Sequence, residues 1–511
     1  MMNQLRSRIA RATTLAAATA VALLSTTPAP IAAQDAAVQA FDAYVAKAVR
    51  DWKLPGLAIA IVRNDSVILA KGYGLRTVGT DQRVDAGTRF AIGSTTKAMT
   101  AVALGMLVDE GKVRWDDPVV KHLPWFAIGD PWVTREITVR DLLTHRAGLP
   151  NADLLWTDSR WTPSEVTRRI RTLKPVYSLR SGFIYQNVMY AVAGDVIAAA
   201  SGMSWADFVR TRIFQPLGMT ATEATLAGVE GKPNVAAPHA HSGDSLVVVQ
   251  NRPVDPVAAA GSVWSSVTDM AKWMRFVLDS GRVNGKPVLK VTTLAEILTP
   301  QVIAPQSMYP TMTIIRPHFF TYGLAWFLHD YAGQAVAMHT GSINGMSALI
   351  GLIPDRRMGV YVLVNSDHAE LRHALMYRAF DTFAGTGGAS PRDWSAEFSK
   401  LYGGIEERQV AAQRAAEARR AANTTPSLPV ERYVGTYVDS TYGDMVVSMK
   451  DGALHAAYGP RAGRLEHWEY ETFRARTEGR GAWAVTFQPT GTGGVASLRA
   501  FGVTFTRVAR P

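Results

Sequence analysis

Apolar runs of strand length occur in two sets at opposite ends of one long segment, and this spacing limits the folds open to the chain. Residues 57–62 and 67–70, joined at Asn64-Asp65, read as a hairpin. Residues 348–353 and 359–364 repeat the pattern far downstream. A sheet assembled from both ends of the segment accounts for this. Ahead of the hairpin, Val38, Phe41, Val45, Val49 and Trp52 recur at helical spacing over residues 35–52, until Leu54-Pro55-Gly56 ends the helix. A terminal helix, a hairpin and a helical body opening at Ser94 make an α+β pattern, unlike alternating βαβ units.

The first residues read as a secretion signal. Arg6, Arg8 and Arg11 precede an apolar stretch at 12–24, and Ala32-Ala33 before Gln34 suits cleavage. That stretch is shorter than the roughly 20 residues a bilayer span needs. No later run is long and apolar enough, so the expected mature protein is exported, periplasmic or secreted, without a transmembrane segment. The net charge is +11. Its densest basic stretch, Arg168-Arg169-Ile170-Arg171 with Lys174, reads as the solvated side of a helix around Val166, Ile170 and Leu173. No nucleic-acid-binding module is present, so nucleic acid is not an expected partner.

The 511 residues include no cysteine, which excludes disulfides, thiolate metal sites, a cysteine nucleophile and a lipid-modified cysteine. Cohesion must come from burial, and 47% hydrophobic against 19% charged residues is ordinary for a globular chain. The length suits two or three domains. From about residue 386 the composition changes to a loop-like stretch and an Ala/Arg/Glu/Gln-rich helix candidate at 406–422, broken by Thr424-Thr425-Pro426-Ser427. Beyond it, strands are predicted at 433–438, around Met445, Val447 and Met449, at 483–487 and at 501–505, with a turn at Asp451-Gly452. The expected organisation is a signal peptide at 1–33, an α+β domain at 34–385, a linker with a helix at 386–425 and a small all-β domain at 426–511.

Three short elements carry chemistry. Ser94-Thr95-Thr96-Lys97 puts a hydroxyl and an amine on one helical face, and Gly93 allows a sharp entry that sets Ser94 at a helix N-terminus. A serine needs a base, and a lysine can be one only where apolar neighbours such as Ala98, Met99 and Ala101 lower its pKa. The spacing alone arises by chance about once or twice in a chain this long. Tyr185-Gln186-Asn187 offers a phenol for proton transfer and an amide for a substrate carbonyl, or a packed aromatic with a helix-capping Asn. His339-Thr340-Gly341-Ser342 offers a strand edge where a substrate can approach the backbone, or a plain turn.

Together, in this order, these elements resemble the class C β-lactamase and DD-peptidase superfamily. The stretches between them are similar too: Asp116-Asp117-Pro118 with Leu123-Pro124; Leu142-Leu143-Thr144-His145-Arg146-Ala147-Gly148-Leu149; Gln215-Pro216-Leu217-Gly218-Met219; Gly261 with Ser265 and Asp269-Met270-Ala271; and Tyr322-Gly323-Leu324-Ala325-Trp326. The resemblance covers about residues 36–380. It implies a β-lactamase/transpeptidase-like fold, an antiparallel sheet flanked by helices plus a helical subdomain, with the small β domain appended. It implies Ser94 as nucleophile, Lys97 and Tyr185 as the proton-handling pair, and Asn187 on the substrate amide. The N–H groups of Ser94 and Ser342 would form the oxyanion hole, with His339, Thr340 and Gly341 beside it. No metal or organic cofactor is implied, and the expected partner is a small ester, amide or peptide.

His339 departs from the Lys usual in β-lactamases of this family. A neutral histidine gives up the charge that holds an antibiotic's carboxylate, unless a raised pKa restores it. Histidine at this place is similar to D-aminopeptidases and esterases of the family, so the resemblance implies an esterase or D-amino-acid-type peptidase. The alternatives are a true class C-like β-lactamase and a penicillin-recognising or cell-wall sensor that acylates without turnover. Other chemistries fit less well. No Gly-x-Ser-x-Gly elbow occurs, and His239-Ala240-His241 with Asp244 misses a His-x-His-x-Asp metal pattern by one residue. His145 reads as a packing and hydrogen-bonding residue.

Overall fold

The computed structural model describes residues 31–157, 160–243, 245–367, 369–388, 392–477 and 481–508. Residues 1–30 of the expected signal and Asp244 lie outside them. The opening helix α1 spans Ile31–Asp51 and leads into strands β1 (Gly56–Arg63) and β2 (Ser66–Gly74). Asn64 and Asp65 both take positive φ, 48° and 66°, the left-handed pair that a tight hairpin turn requires. A helical body follows, with α2 at Thr96–Asp109, α3 at Asn187–Ser201 and α4 at Val267–Leu278. The chain then returns through β3 (Val302–Ile303), β4 (Phe320–Tyr322), β5 (Phe327–Tyr331), β6 (Gln334–Ile343), β7 (Met346–Ile353) and β8 (Met358–Val364).

Among the described residues these strands form one antiparallel sheet of eight, ordered β2-β1-β8-β7-β6-β5-β4-β3. The early hairpin and the late strands meet where Leu57 pairs with Val364 and Arg63 with Met358. Both faces are covered, which is why β1 and β8 are continuous apolar runs and not alternating ones. Ala58, Ala60 and Val62 face a core shared with Trp273 and Met274 of α4, while Leu57, Ile59 and Ile61 face Phe41 and Val45 of α1. Helix α5 (Leu371–Ala379) closes that second face, followed by α6 at Trp394–Ala418. The helix expected at 406–422 thus begins earlier and ends sooner. Its start is anchored by Trp394 and Phe398, which are buried against the domain, and its second half is exposed.

The tail closes into a barrel: β9 (Gly435–Asp439), β10 (Gly443–Lys450), β11 (Ala453–Tyr458), β12 (Arg461–Glu469), β13 (Thr472–Thr477), β14 (Gly481–Pro489), β15 (Val495–Ala500) and β16 (Val503–Arg507). Tyr437 of β9 pairs with Arg507 of β16, which leaves no open edge between first and last strand. Phe501, expected in a strand, turns at φ 53° with Gly502 at φ 79°. The basic stretch is not wholly solvated either. Arg169 Nη1 donates to Thr441 O of the barrel at 3.0 Å, Thr172 and Thr441 hydroxyls lie 2.6 Å apart, and Tyr458 Oη donates to Leu154 O at 3.4 Å. No single described helix is long and apolar enough to cross a membrane.

Candidate active site

Helix α2 is apolar around most of its circumference and runs through the centre of the domain, with Thr96 to Leu107 buried. Its entry is a short 3-10 turn, Gly93–Thr95. Gly93 holds φ at +52°, and a Cβ there would lie 2.7 Å from Ser342 N. A Cβ on Gly341 would lie 1.9 Å from Ile92 O and 3.0 Å from Ser94 N. Only two glycines let these segments touch, and the contact brings the backbone nitrogens of Ser94 and Ser342 to one spot.

Lys97 is fully buried, not the solvated lysine that would accompany a mere N-cap. Its Nζ lies 2.9 Å from Ser94 Oγ, 2.7 Å from Asn187 Oδ1 and 2.9 Å from Ala260 O. Asn187 Oδ1 and Ala260 O only accept, so a neutral amine spends both hydrogens on them and turns its lone pair to Ser94. Burial pushes the lysine down to about 7, opposed by the charge of Asp153. The preceding carbonyl is held too: Ala259 O accepts from Thr100 Oγ1 at 2.7 Å, and Thr100 Oγ1 accepts from Trp205 Nε1 at 3.0 Å.

Burial raises the Tyr185 phenol well above its usual value, opposed by the nearby Ser94 hydroxyl. It stands near Ser94 as a neutral phenol. Lys97 Nζ sits 4.8 Å from the centre of its ring. The ring of His145 packs against it at 4.1 Å between centroids, and Nδ1 of that imidazole accepts from Gln186 N at 3.0 Å. Burial and the nearby Lys97 hold His145 well below its usual value.

Asn187 opens α3 and its amide has two defined ends. Oδ1 faces Lys97, and Nδ2 donates to Asp153 Oδ1 at 3.0 Å. Sequence reasoning missed Asp153, whose only signal was its place just after the Leu142–Leu149 segment.

His339 is buried, with Nε2 3.1 Å from Tyr322 Oη and Nδ1 2.6 Å from Thr340 O. Burial and Lys97 lower it to about 3, so it carries no charge at neutral pH. The Thr340 hydroxyl is 2.8 Å from Tyr309 Oη. Gly341 and Ser342 meet a residue that the sequence did not flag, Arg372 of α5. Its Nη1 donates to Gly341 O at 2.7 Å and to Ser342 Oγ at 3.0 Å.

In front of Ser94 is a cleft of about 360 Å³, within the usual range for a small-molecule site. Its walls include Trp156, Thr157, Asn187, Arg252, Val254, Ile343, Asn344 and Asp367. His239 stands apart from it, its ring nitrogens 3.1 Å from Val78 N and 3.0 Å from Asn365 O. Among the described residues no group of His, Asp or Glu could hold a metal ion.

Comparison with known proteins agrees with this architecture. The family model described as Beta-lactamase matches residues 41–382, and one described as a domain of unknown function, DUF3471, matches residues 419–509. Unguisins hydrolase ungD of Aspergillus violaceofuscus is 29% identical over 453 residues, 81% of this chain and 78% of that protein. Protein flp of Staphylococcus aureus is 26% identical over 64% of this chain and 63% of its own length. The structure of an octameric penicillin-binding protein homologue from Pyrococcus abyssi superposes with a TM-score of 0.61 at 22% identity, covering 92% of this chain and 100% of that one.

Proposed function

Because the chain belongs to the β-lactamase family, we propose that it is an exported serine hydrolase that forms an acyl-enzyme on Ser94 with an ester or a D-amino-acid-type amide. The observation that carries this reading is the 2.9 Å approach of Lys97 Nζ to Ser94 Oγ, with burial lowering the lysine to about 7. Such a lysine reaches its neutral form, the one that accepts a proton, near neutral pH.

In the first step Ser94 Oγ attacks the substrate carbonyl and its proton passes to Lys97. The oxyanion rests on the N–H groups of Ser94 and Ser342. The phenol of Tyr185 protonates the leaving group and recovers its proton from Lys97. In the second step water, activated through the same pair, attacks the ester on Ser94, and the acid departs as Ser94 is reprotonated. The neutral His339 supports an ester or peptide over an anionic β-lactam, since it brings no cation to a carboxylate. The hydrolase named among the relatives is consistent with amide or ester cleavage.

The test is hydrolysis of a p-nitrophenyl ester and a chromogenic cephalosporin by the mature protein and by Ser94→Ala. Ester turnover that disappears in the variant is expected. Faster cephalosporin turnover would overturn the substrate class, and full activity in Ser94→Ala would overturn the nucleophile.

A further inference from the structure

Arg372, near the start of α5, is a cation with only 4% of its surface exposed, and it does not line the cleft. Placing a guanidinium there is costly unless its hydrogens are satisfied. Nη1 reaches Gly341 O at 2.7 Å, Ser342 Oγ at 3.0 Å and Ala348 O at 3.2 Å, while Nη2 lies 3.2 Å from Glu370 Oε1. Glu370 Oε2 lies 2.9 Å from His373 Nδ1.

The carbonyl of Gly341 and the N–H of Ser342 belong to one peptide unit. In a trans peptide they point in opposite directions. A cation fixed on the oxygen therefore fixes where the N–H points, and Ser342 N is the atom that lies against Gly93 at the mouth of the nucleophile turn. Charge on the carbonyl also polarises the peptide and strengthens its N–H as a donor. A hold on both Gly341 O and Ser342 Oγ leaves that unit little freedom to rotate.

We propose that Arg372 is a positioning residue for the oxyanion hole: by binding the Gly341 carbonyl from behind, it aims the Ser342 N–H at the carbonyl oxygen of the substrate. This rests on the reading of Ser94 as the acylated nucleophile. Arg372 acts through the peptide and touches no substrate. It should therefore affect the tetrahedral state, in which the oxygen carries charge, far more than ground-state binding.

The experiment compares wild type, Ser94→Ala, Arg372→Lys, Arg372→Met and the charge-neutral double variant Glu370→Gln/Arg372→Met. The double variant keeps the test open if Arg372→Met, with Glu370 left uncompensated, does not fold. Acylation is read as single-turnover release of p-nitrophenolate, so a protein that acylates without turning over still reports. Affinity for phenylboronic acid, which forms a tetrahedral adduct on a serine, is measured alongside, with thermal unfolding to show that each variant is folded. Removing one oxyanion donor costs about 10²–10³ in rate, so misaiming one should slow acylation about 10–100-fold. Boronic-acid affinity should fall by a similar factor, KM should stay within about twofold, and Arg372→Lys should recover part of the rate. Folded Met variants with wild-type acylation and boronate affinity would overturn the proposal and leave Arg372 a purely structural ion. Wild-type acylation in Ser94→Ala would instead remove the nucleophile reading.

Discussion

Asp153 Oδ1 accepts a 3.0 Å hydrogen bond from Asn187 Nδ2, and this decides which way the Asn187 amide faces Lys97. A carboxylate only accepts, so the NH₂ end must turn toward Asp153 and the oxygen toward the lysine. A second donor, Trp156 Nε1 at 2.8 Å, fixes the same carboxylate oxygen. The loop that carries Asp153 also bears Leu154, which accepts from Tyr458 of the barrel.

Asp153 raises the pKa of Lys97 against the effect of burial. Removing its charge in Asp153→Asn should move the acid limb of the pH profile of kcat/KM to lower pH. Asp153→Ala also frees the Asn187 amide to flip, and a misplaced group of this kind costs about 10–100-fold in rate. A profile unchanged in midpoint in Asp153→Asn would show that the carboxylate does not act on the lysine.

Lys97 must be neutral to take the Ser94 proton. In the wild type the activity should therefore rise with pH through a midpoint near 7, the value to which burial lowers the lysine. Lys97→Ala should cost at least the 10²–10⁴ that general base catalysis supplies. Steady-state kinetics from pH 5 to 9 on both proteins check this, and a flat wild-type profile would contradict it.

The Tyr185 phenol is held well above 10 by burial. It stays protonated across the working range, so no alkaline limb should appear below about pH 10, the ordinary phenol value. Tyr185→Phe should slow turnover about 10²-fold or more, with thermal unfolding little changed. A variant as fast as wild type would remove the phenol from proton transfer.

Asp141 is a buried carboxylate bonded to Arg146 Nε at 2.8 Å and Arg180 Nη2 at 2.7 Å. Burial would raise its pKa, but these partners and the Thr138 N–H outweigh it and hold the group below its ordinary value. A folded-state pKa below the unfolded one means that the stability is present above about pH 4 and lost as pH falls through the folded value. Asp141→Asn should lose about 3–5 kcal/mol at pH 7, the usual cost of breaking a buried pair. The gap from wild type should narrow in acid. Urea unfolding at pH 7 and pH 3 checks both, and an equal gap at the two pH values would rule out the ion pair as its source.

Much of the catalytic domain was legible from local pattern. The apolar run at 359–364 read as a strand and Asn64-Asp65 as a turn, and both are so in the structure. Ser94, Lys97, Tyr185, Asn187 and Ser342 stood out because their stretches, taken in order, resemble a known family, and the fold brings them together near Ser94. The start of α6 was missed because its signal is the burial of Trp394 and Phe398 against another part of the chain.

The order of strand-forming runs, the glycine-bearing turns and the reactive side chains were written in the chain, because backbone conformation depends on sterics between near neighbours. The protonation of Lys97, the flip of the Asn187 amide and the aim of the Ser342 N–H were not. Each depends on distant segments: the burial of Lys97 by the packed domain, the Asp153 carboxylate, and the Arg372 guanidinium. Desolvation and hydrogen bonding across such separations exist only once the sheet has closed and the helices have packed, so it is the folded chain that lowers the pKa of Lys97.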